Sequence, residues 1–288
     1  MKIIDIFNKK FQHANILKKI IYINVCIFLL LNVLSVFAGL LLVEFTIFEK
    51  FMLPSNTKIL VDQPWSIFTY MFLHQNILHL AFNMILLYFG GKIFLNNFTE
   101  KHFLNVYFFG GIFGGLIFVL AFNYLPALII SNELAKALGA SASVLAIFFA
   151  VATKAPNYVI HSPFIGNIKL KYLAFFLIIL DFISIPKGNA GGHIAHIGGA
   201  IFGYLFVKNI KKSKSKKTFI NLNFIFDKIF KSQNKKHIYK GNRNDFEYNK
   251  QRAQKQKEVN NILEKISKSG YSSLNEKEKE ILFNESKK

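Results

Sequence analysis

The sequence predicts an all-α membrane protein, and two observations support this fold class. Of the 288 residues, 52% are hydrophobic and 16% are aromatic, which is more apolar than a water-soluble domain of ordinary composition. The apolar residues also form separate blocks, each near the ~20 residues that a helix needs to cross a bilayer. We therefore expect a bundle of six transmembrane helices followed by a basic, helical C-terminal tail.

Six apolar spans follow one another along the chain, and the connection after the first is long. That connection, residues 44–72, is too long to lack structure of its own, and its aromatic residues favour a segment lying in the membrane interface. If the N-terminus faces the cytoplasm, the basic residues fall on cytoplasmic connections, as the positive-inside rule requires. We expect a multi-pass protein of the bacterial inner membrane with both termini in the cytoplasm. The predicted spans are 20–43, 77–95, 103–125, 138–152, 172–185 and 192–207.

The formal charge of +20 is concentrated near the end of the chain. From Lys208 onward there are 22 basic and 9 acidic residues, so this part carries +13. In a soluble protein such a charge would suggest nucleic acid, but a basic segment directly after a membrane span is typical of a tail attracted to lipid. We expect the lipid bilayer as a partner and no nucleic acid. The predicted regions are an N-terminal segment at 1–19, a membrane domain at 20–208, and a tail at 209–288 with a helical hairpin at 253–285.

Polar side chains occur at the start of every second span. In the predicted topology the second, fourth and sixth spans begin at the same membrane face, so these side chains share one depth. Ionisable groups inside a membrane are rare enough to be functional candidates by default. The side chains are His79 and Asn83 in the second span, Ser141 in the fourth, and His193 and His196 in the sixth.

A serine becomes a nucleophile when a neighbouring base takes its proton. His196 can be that base for Ser141 if the fourth and sixth spans touch. Alanines spaced four apart in the fourth span, and Gly199 and Gly203 in the sixth, form the small-residue stripes that favour close helix contact. We therefore expect Ser141 and His196 to lie together.

Acyl transfer also needs donors that face the developing oxyanion. His79 and Asn83 are spaced i and i+4, so they project from one face of a helix. Together with the backbone amide of Ser141 they predict an oxyanion hole. Asn83 could instead bridge helices.

Other interpretations of the two histidines remain open. His193 lies one helical turn before His196 and could be the base in its place. A His-x-x-His pair also suits a metal ion, but no third ligand is evident and there is no His-Glu-x-x-His motif. We expect no metal and no cofactor.

Three motifs together resemble the rhomboid intramembrane serine proteases, over residues 65–207. Each motif alone would be weak evidence, but their combination is specific. The motifs are Leu138-Gly139-Ala140-Ser141, His74-x4-His79-x3-Asn83 and Ala195-His196-x2-Gly199-x3-Gly203.

The resemblance implies a six-helix rhomboid bundle and a Ser–His dyad without an acid. It implies Ser141 as nucleophile, His196 as general base, and His79 and Asn83 as oxyanion donors; Asp181 would then not be a third member. The implied activity is hydrolysis of a peptide bond in or near the transmembrane segment of a single-pass membrane protein. The alternative is an inactive rhomboid-like protein that binds membrane clients, although inactive relatives generally lose the serine or the histidine and this chain keeps both.

Overall fold

The computed structural model describes residues 11–130, 135–162, 166–212 and 258–286. Residues 1–10 of the predicted N-terminal segment and residues 213–257 and 287–288 of the predicted tail lie outside these ranges. The chain divides into two compact units, Met1–Lys231 and Ser232–Lys288, and each is described by itself.

The first unit is mostly helical, which confirms the predicted class. Its described part contains four helices that are long and apolar enough to cross a membrane, namely Ile16–Leu40, Ile77–Asn97, Glu100–Tyr124 and Ala190–Ile210. The fourth and fifth predicted spans correspond to the shorter helices Ser141–Lys154 and Leu170–Ser184, of 14 and 15 residues. The helices are α1 (Ile16–Leu40), α2 (Ile47–Phe51), α3 (Thr57–Asp62), α4 (Ser66–Thr69), α5 (Ile77–Asn97), α6 (Glu100–Tyr124), α7 (Pro126–Ile129), α8 (Ser141–Lys154), α9 (Leu170–Ser184) and α10 (Ala190–Lys212).

Polar capping residues set the starts of the long helices. The Asn15 side chain accepts a hydrogen bond from the backbone N–H of Lys18 at 3.0 Å, so α1 begins four residues before the predicted span. Asn76 caps α5 in the same way. Thr99 caps α6, so this helix begins at Glu100, three residues before the predicted span. Asn and Thr side chains satisfy backbone donors that the first helical turn leaves unpaired.

The long connection between α1 and α5 has structure of its own, as expected. It contains α2 to α4, a short 3-10 helix at Tyr70–Phe72, and strand β1 (Leu53–Pro54), which pairs antiparallel with β2 (Lys136–Ala137). An exposed ion pair between Lys136 and Glu49, 2.7 Å from Nζ to Oε2, accompanies this pairing and lowers the pKa of the Glu49 carboxyl. Because β2 ends just before α8, the connection helps to fix where α8 begins.

Helices α6, α8 and α10 pack through glycine and alanine. Gly199 and Gly203 of α10 lie directly against the backbone carbonyls of Ala142 and Ala146 in α8. On α6, a Cβ added at Gly114 would lie 2.6 Å from the backbone carbonyl oxygen of Ala195 in α10. The close contact predicted from the two glycines of the sixth span is therefore confirmed.

Two hairpin-like elements complete the described chain. Strands β3 (Val159–Ser162) and β4 (Gly166–Lys169) pair antiparallel between α8 and α9. The described part of the second unit contains helix α11 at 258–269 and helix α12 (Glu276–Ser286).

The cap of the last helix differs from the one that the sequence suggests. The pattern Ser273-x-x-Glu276 predicts a capping box, but the structure forms it two residues later. The Asn275 side chain accepts from the N–H of Glu278 at 2.9 Å, and the Glu278 carboxylate accepts from the N–H of Asn275 at 2.8 Å. Glu278 also binds Lys265 of α11, so this register adds an ion pair between the two helices.

Replacement of Gly203 by alanine is expected to destabilise the first unit. The added methyl group would be forced against the carbonyl of Ala146, and overpacking of this kind costs about 1–3 kcal/mol. The midpoint of thermal unfolding in detergent micelles measures the effect. Gly39→Ala is the matched control, because a Cβ there meets nothing within 4 Å; equal midpoints for both variants would contradict the proposed packing constraint.

Candidate active site

Ser141 is the first residue of α8 and follows a turn that only glycine adopts easily. Gly139 has φ +124°, and its N–H donates to the carbonyl of Tyr70 at 2.9 Å. A Cβ at Gly139 would lie 2.9 Å from Nε2 of His79 and 3.4 Å from Oγ of Ser141. The predicted nucleophile and one predicted oxyanion donor therefore flank the same small space.

His196 lies at the same end of the helix bundle. His196 is one turn before Gly199. Gly199 packs against the backbone of Ala142, and Ala142 directly follows Ser141. Ser141 and His79 lie in the first turns of α8 and α5, and His196 lies in the second turn of α10.

A buried carboxylate connects the two histidines of α10. Oδ1 of Asp181, in α9, is 2.8 Å from Nδ1 of His193 and 2.8 Å from Nδ1 of His196. Asp181 is only 8% exposed. The sequence-based interpretation left Asp181 out of the site, although a lone acidic residue in an apolar helix was the available signal.

The shared carboxylate determines which ring nitrogen carries the proton. An ionised carboxylate can only accept hydrogen bonds, so Nδ1 of His193 and Nδ1 of His196 both carry hydrogen. In neutral His196 this leaves Nε2 as the unprotonated nitrogen. His196 is therefore held in the tautomer that can accept a proton at Nε2.

Asn83 and His74 support His79 from two sides. One N–H of the Asn83 side-chain amide donates to the backbone carbonyl of His79 at 2.9 Å, within α5. The other N–H of this amide takes no part in that bond. The ring of His74 meets the His79 ring edge-on, with centroids 5.2 Å apart. Burial, together with the nearby His79, lowers the pKa of His74 to about 4, so His74 is neutral at physiological pH.

Replacement of Gly139 by alanine is expected to slow modification of Ser141 by a serine-reactive fluorophosphonate about 100-fold, because even a 1 Å misplacement of reacting groups has an effect of that size. The added methyl group would displace the ring of His79 or the hydroxyl of Ser141. The labelling rate measures this.

Gly188→Ala is the control for backbone strain. Gly188 has φ +117°, close to that of Gly139, but a Cβ there meets nothing within 4 Å. Labelling that falls equally in both variants would contradict the role assigned to the space beside Gly139.

Comparison with protein families gives two matches. The Rhomboid domain matches residues 61–212, which include all the site residues above. Residues 244–288 match a family of unknown function, DUF6576.

Several curated proteins are similar to the chain. "RHOMBOID-like protein 12, mitochondrial" of Arabidopsis thaliana is 27% identical over 60% of this chain and 55% of its own length. "Presenilin-associated rhomboid-like protein A, mitochondrial" of Danio rerio is 26% identical, and "Presenilin-associated rhomboid-like protein, mitochondrial" of Homo sapiens 25% identical, each over 47% of this chain and 35% of its own length. The chain thus spans about half of the plant relative and about a third of the vertebrate ones.

These relatives correct one expectation. The sequence suggested the bacterial inner membrane, but the curated relatives are named as mitochondrial proteins of eukaryotes. The apolar helices support the membrane nature of the protein.

Proposed function

Because the chain belongs to the rhomboid family, we propose that it is a serine endopeptidase that hydrolyses a peptide bond in or near the transmembrane segment of a membrane protein. The placement of Ser141, His79 and His196 at one end of three helices is the observation that carries this proposal. The reaction needs a nucleophile, a base and an oxyanion donor, and these three side chains supply one of each.

The reaction follows from the roles of these groups. Oγ of Ser141 attacks the scissile carbonyl while Nε2 of His196 takes the hydroxyl proton. The oxyanion that develops receives hydrogen bonds from the side chains of His79 and Asn83 and from the backbone N–H of Ser141. His196 then gives its proton to the leaving amine, and water hydrolyses the acyl-enzyme by the same route.

We further propose that the membrane domain, residues 20–208, crosses the bilayer six times, although its last helix, α10, continues to Lys212. Helix α8 is only about 21 Å long at 1.5 Å per residue, shorter than the ~30 Å hydrocarbon core. Ten of its 14 residues are buried, so protein rather than lipid surrounds most of this helix. A helix enclosed in this way does not need to match the lipid thickness.

The substrate is proposed to enter beside α9, and a single-pass membrane protein fits this route. Three residues of α9 are buried, namely Leu170, Ala174 and Asp181, so most of the helix is loosely held by the rest of the bundle. The substrate needs a transmembrane helix that unwinds easily, because the scissile bond must reach Ser141 in an extended form.

The first test compares cleavage of a transmembrane reporter in proteoliposomes by the wild type and three alanine variants. Ser141→Ala and His196→Ala should lower kcat at least ~10³-fold, as expected when a nucleophile or base is removed. His193→Ala is the matched histidine control and should keep cleavage.

Two other results would change the assignment. Loss of cleavage with His193→Ala and its retention with His196→Ala would make His193 the base. A wild type that neither cleaves nor is labelled at Ser141 would favour the client-binding alternative.

We also propose that Asp181 is a positioning residue for His196. Its carboxylate fixes the Nδ1–H tautomer and stabilises the imidazolium that forms when His196 takes the serine proton. Charge-assisted hydrogen bonds of this kind are about twice as strong as neutral ones. Asp181 contacts the base and takes no proton itself.

Asp181→Asn is expected to lower kcat about 100-fold, within the range for loss of effective general-base catalysis, while KM changes little. Asp181→Glu keeps the charge and should recover part of kcat. Steady-state kinetics of both variants check this. Full activity of the Asn variant, or a rise in KM alone, would exclude the positioning role.

A further inference from the structure

We propose that Asp181, His193 and His196 form a site for one Zn²⁺ ion, and that bound Zn²⁺ reversibly inhibits the enzyme. The ligand atoms, one from each side chain, all lie within 4.8 Å of one another. The inhibitory part rests on the proposed protease activity, whereas binding of the ion does not.

The donor set suits zinc. Two imidazole nitrogens and one carboxylate oxygen, with a fourth position left for water, form a common zinc coordination sphere. The sequence already shows the His-x-x-His pair, and the structure adds the third ligand that the sequence did not reveal. Asp181 reaches the pair from a different helix, α9.

Two of the three ligand distances need only a small adjustment, and the third, between the two histidine nitrogens, is at most 4.8 Å. Tetrahedral Zn²⁺ with bonds near 2.0–2.1 Å separates its ligand atoms by roughly 3.3 Å. Nδ1 of each histidine is now 2.8 Å from Oδ1 of Asp181, so each pair would move apart by about half an ångström. Because α9 is held by few buried residues, it can accommodate that shift.

An ion can also reach the site. The histidine side chains are 22% and 21% exposed, and the Asp181 side chain is 11% exposed. The three side chains are therefore not fully enclosed by the described part of the chain.

Inhibition follows from the tautomer of His196. Zn²⁺ bonded to Nδ1 takes the place of the hydrogen there, and a neutral imidazole ligand then carries its hydrogen on Nε2. That nitrogen becomes a donor and has no lone pair available for the hydroxyl proton of Ser141. When the ion is removed, the hydrogen returns to Nδ1 and again donates a hydrogen bond to the Asp181 carboxylate. Inhibition should therefore be reversible.

The experiment measures binding and inhibition separately on the full chain in detergent. Metal binding is measured on the Ser141→Ala protein, which lacks the proposed nucleophile. The visible absorption of bound Co²⁺ is recorded with and without competing Zn²⁺. Cleavage at buffered free Zn²⁺ concentrations gives the midpoint of inhibition, normalised to the zinc-free rate of each variant. His193→Ala removes one ligand, and His13→Ala removes an exposed histidine elsewhere.

We expect one equivalent of tetrahedral Co²⁺, displaced by Zn²⁺, in the Ser141→Ala protein and its loss when His193→Ala is added. Even loss of an outer-shell partner costs 10–100-fold in metal affinity, so His193→Ala should raise the inhibition midpoint more than about tenfold. His13→Ala should leave it unchanged, and a chelator should restore cleavage.

Two results would overturn the inference. One is Co²⁺ absorption that His193→Ala does not change, and the other is equal zinc sensitivity of wild type and His193→Ala. Failure of the wild type to cleave any reporter would count against the proposed function instead, and the Co²⁺ measurement would still decide whether the metal site exists.

Discussion

The direct backbone contact of α8 with α10 is the constraint on which the rest of the structure depends. In lipid there is no hydrophobic force between helices, so association relies on close packing and on hydrogen bonds. Gly199 and Gly203 bring α10 onto the carbonyls of α8, and any larger residue would separate the two helices. Ser141 and His196 both lie within one turn of this contact, so their relative position depends on it.

The chemistry of the site depends on one buried charge. A carboxylate in apolar surroundings is costly unless it is paired and hydrogen-bonded, and Asp181 receives hydrogen bonds from both His193 and His196. Because both bonds use Nδ1, the carboxylate also orients both rings. The same interaction that makes the buried charge tolerable fixes the tautomer of His196 in which Nε2 carries no hydrogen.

The sequence predicted those features that depend on local spacing. The stripe of Gly199 and Gly203 and the pair of polar residues in the second span are periodic patterns along one helix, and the structure bears out the close contact. Asp181 was not predicted, because its partners lie 12 and 15 residues away across a turn, and no helical period connects them. The cap at Asn275 was also missed, because the ion pair of Glu278 with Lys265 selects the register and depends on tertiary structure.

The presence of His193 beside His196 has a physical explanation at Asp181. A Ser–His mechanism needs one histidine, but one histidine would leave the buried Oδ1 with a single strong donor. His193 provides the second donor and shares the carboxylate with His196. A carboxylate bridging two imidazoles is also a chelating arrangement, since the two Nδ1 hydrogens can be replaced by one divalent ion. The three side chains that stabilise the charge are therefore the same as those of the proposed metal site.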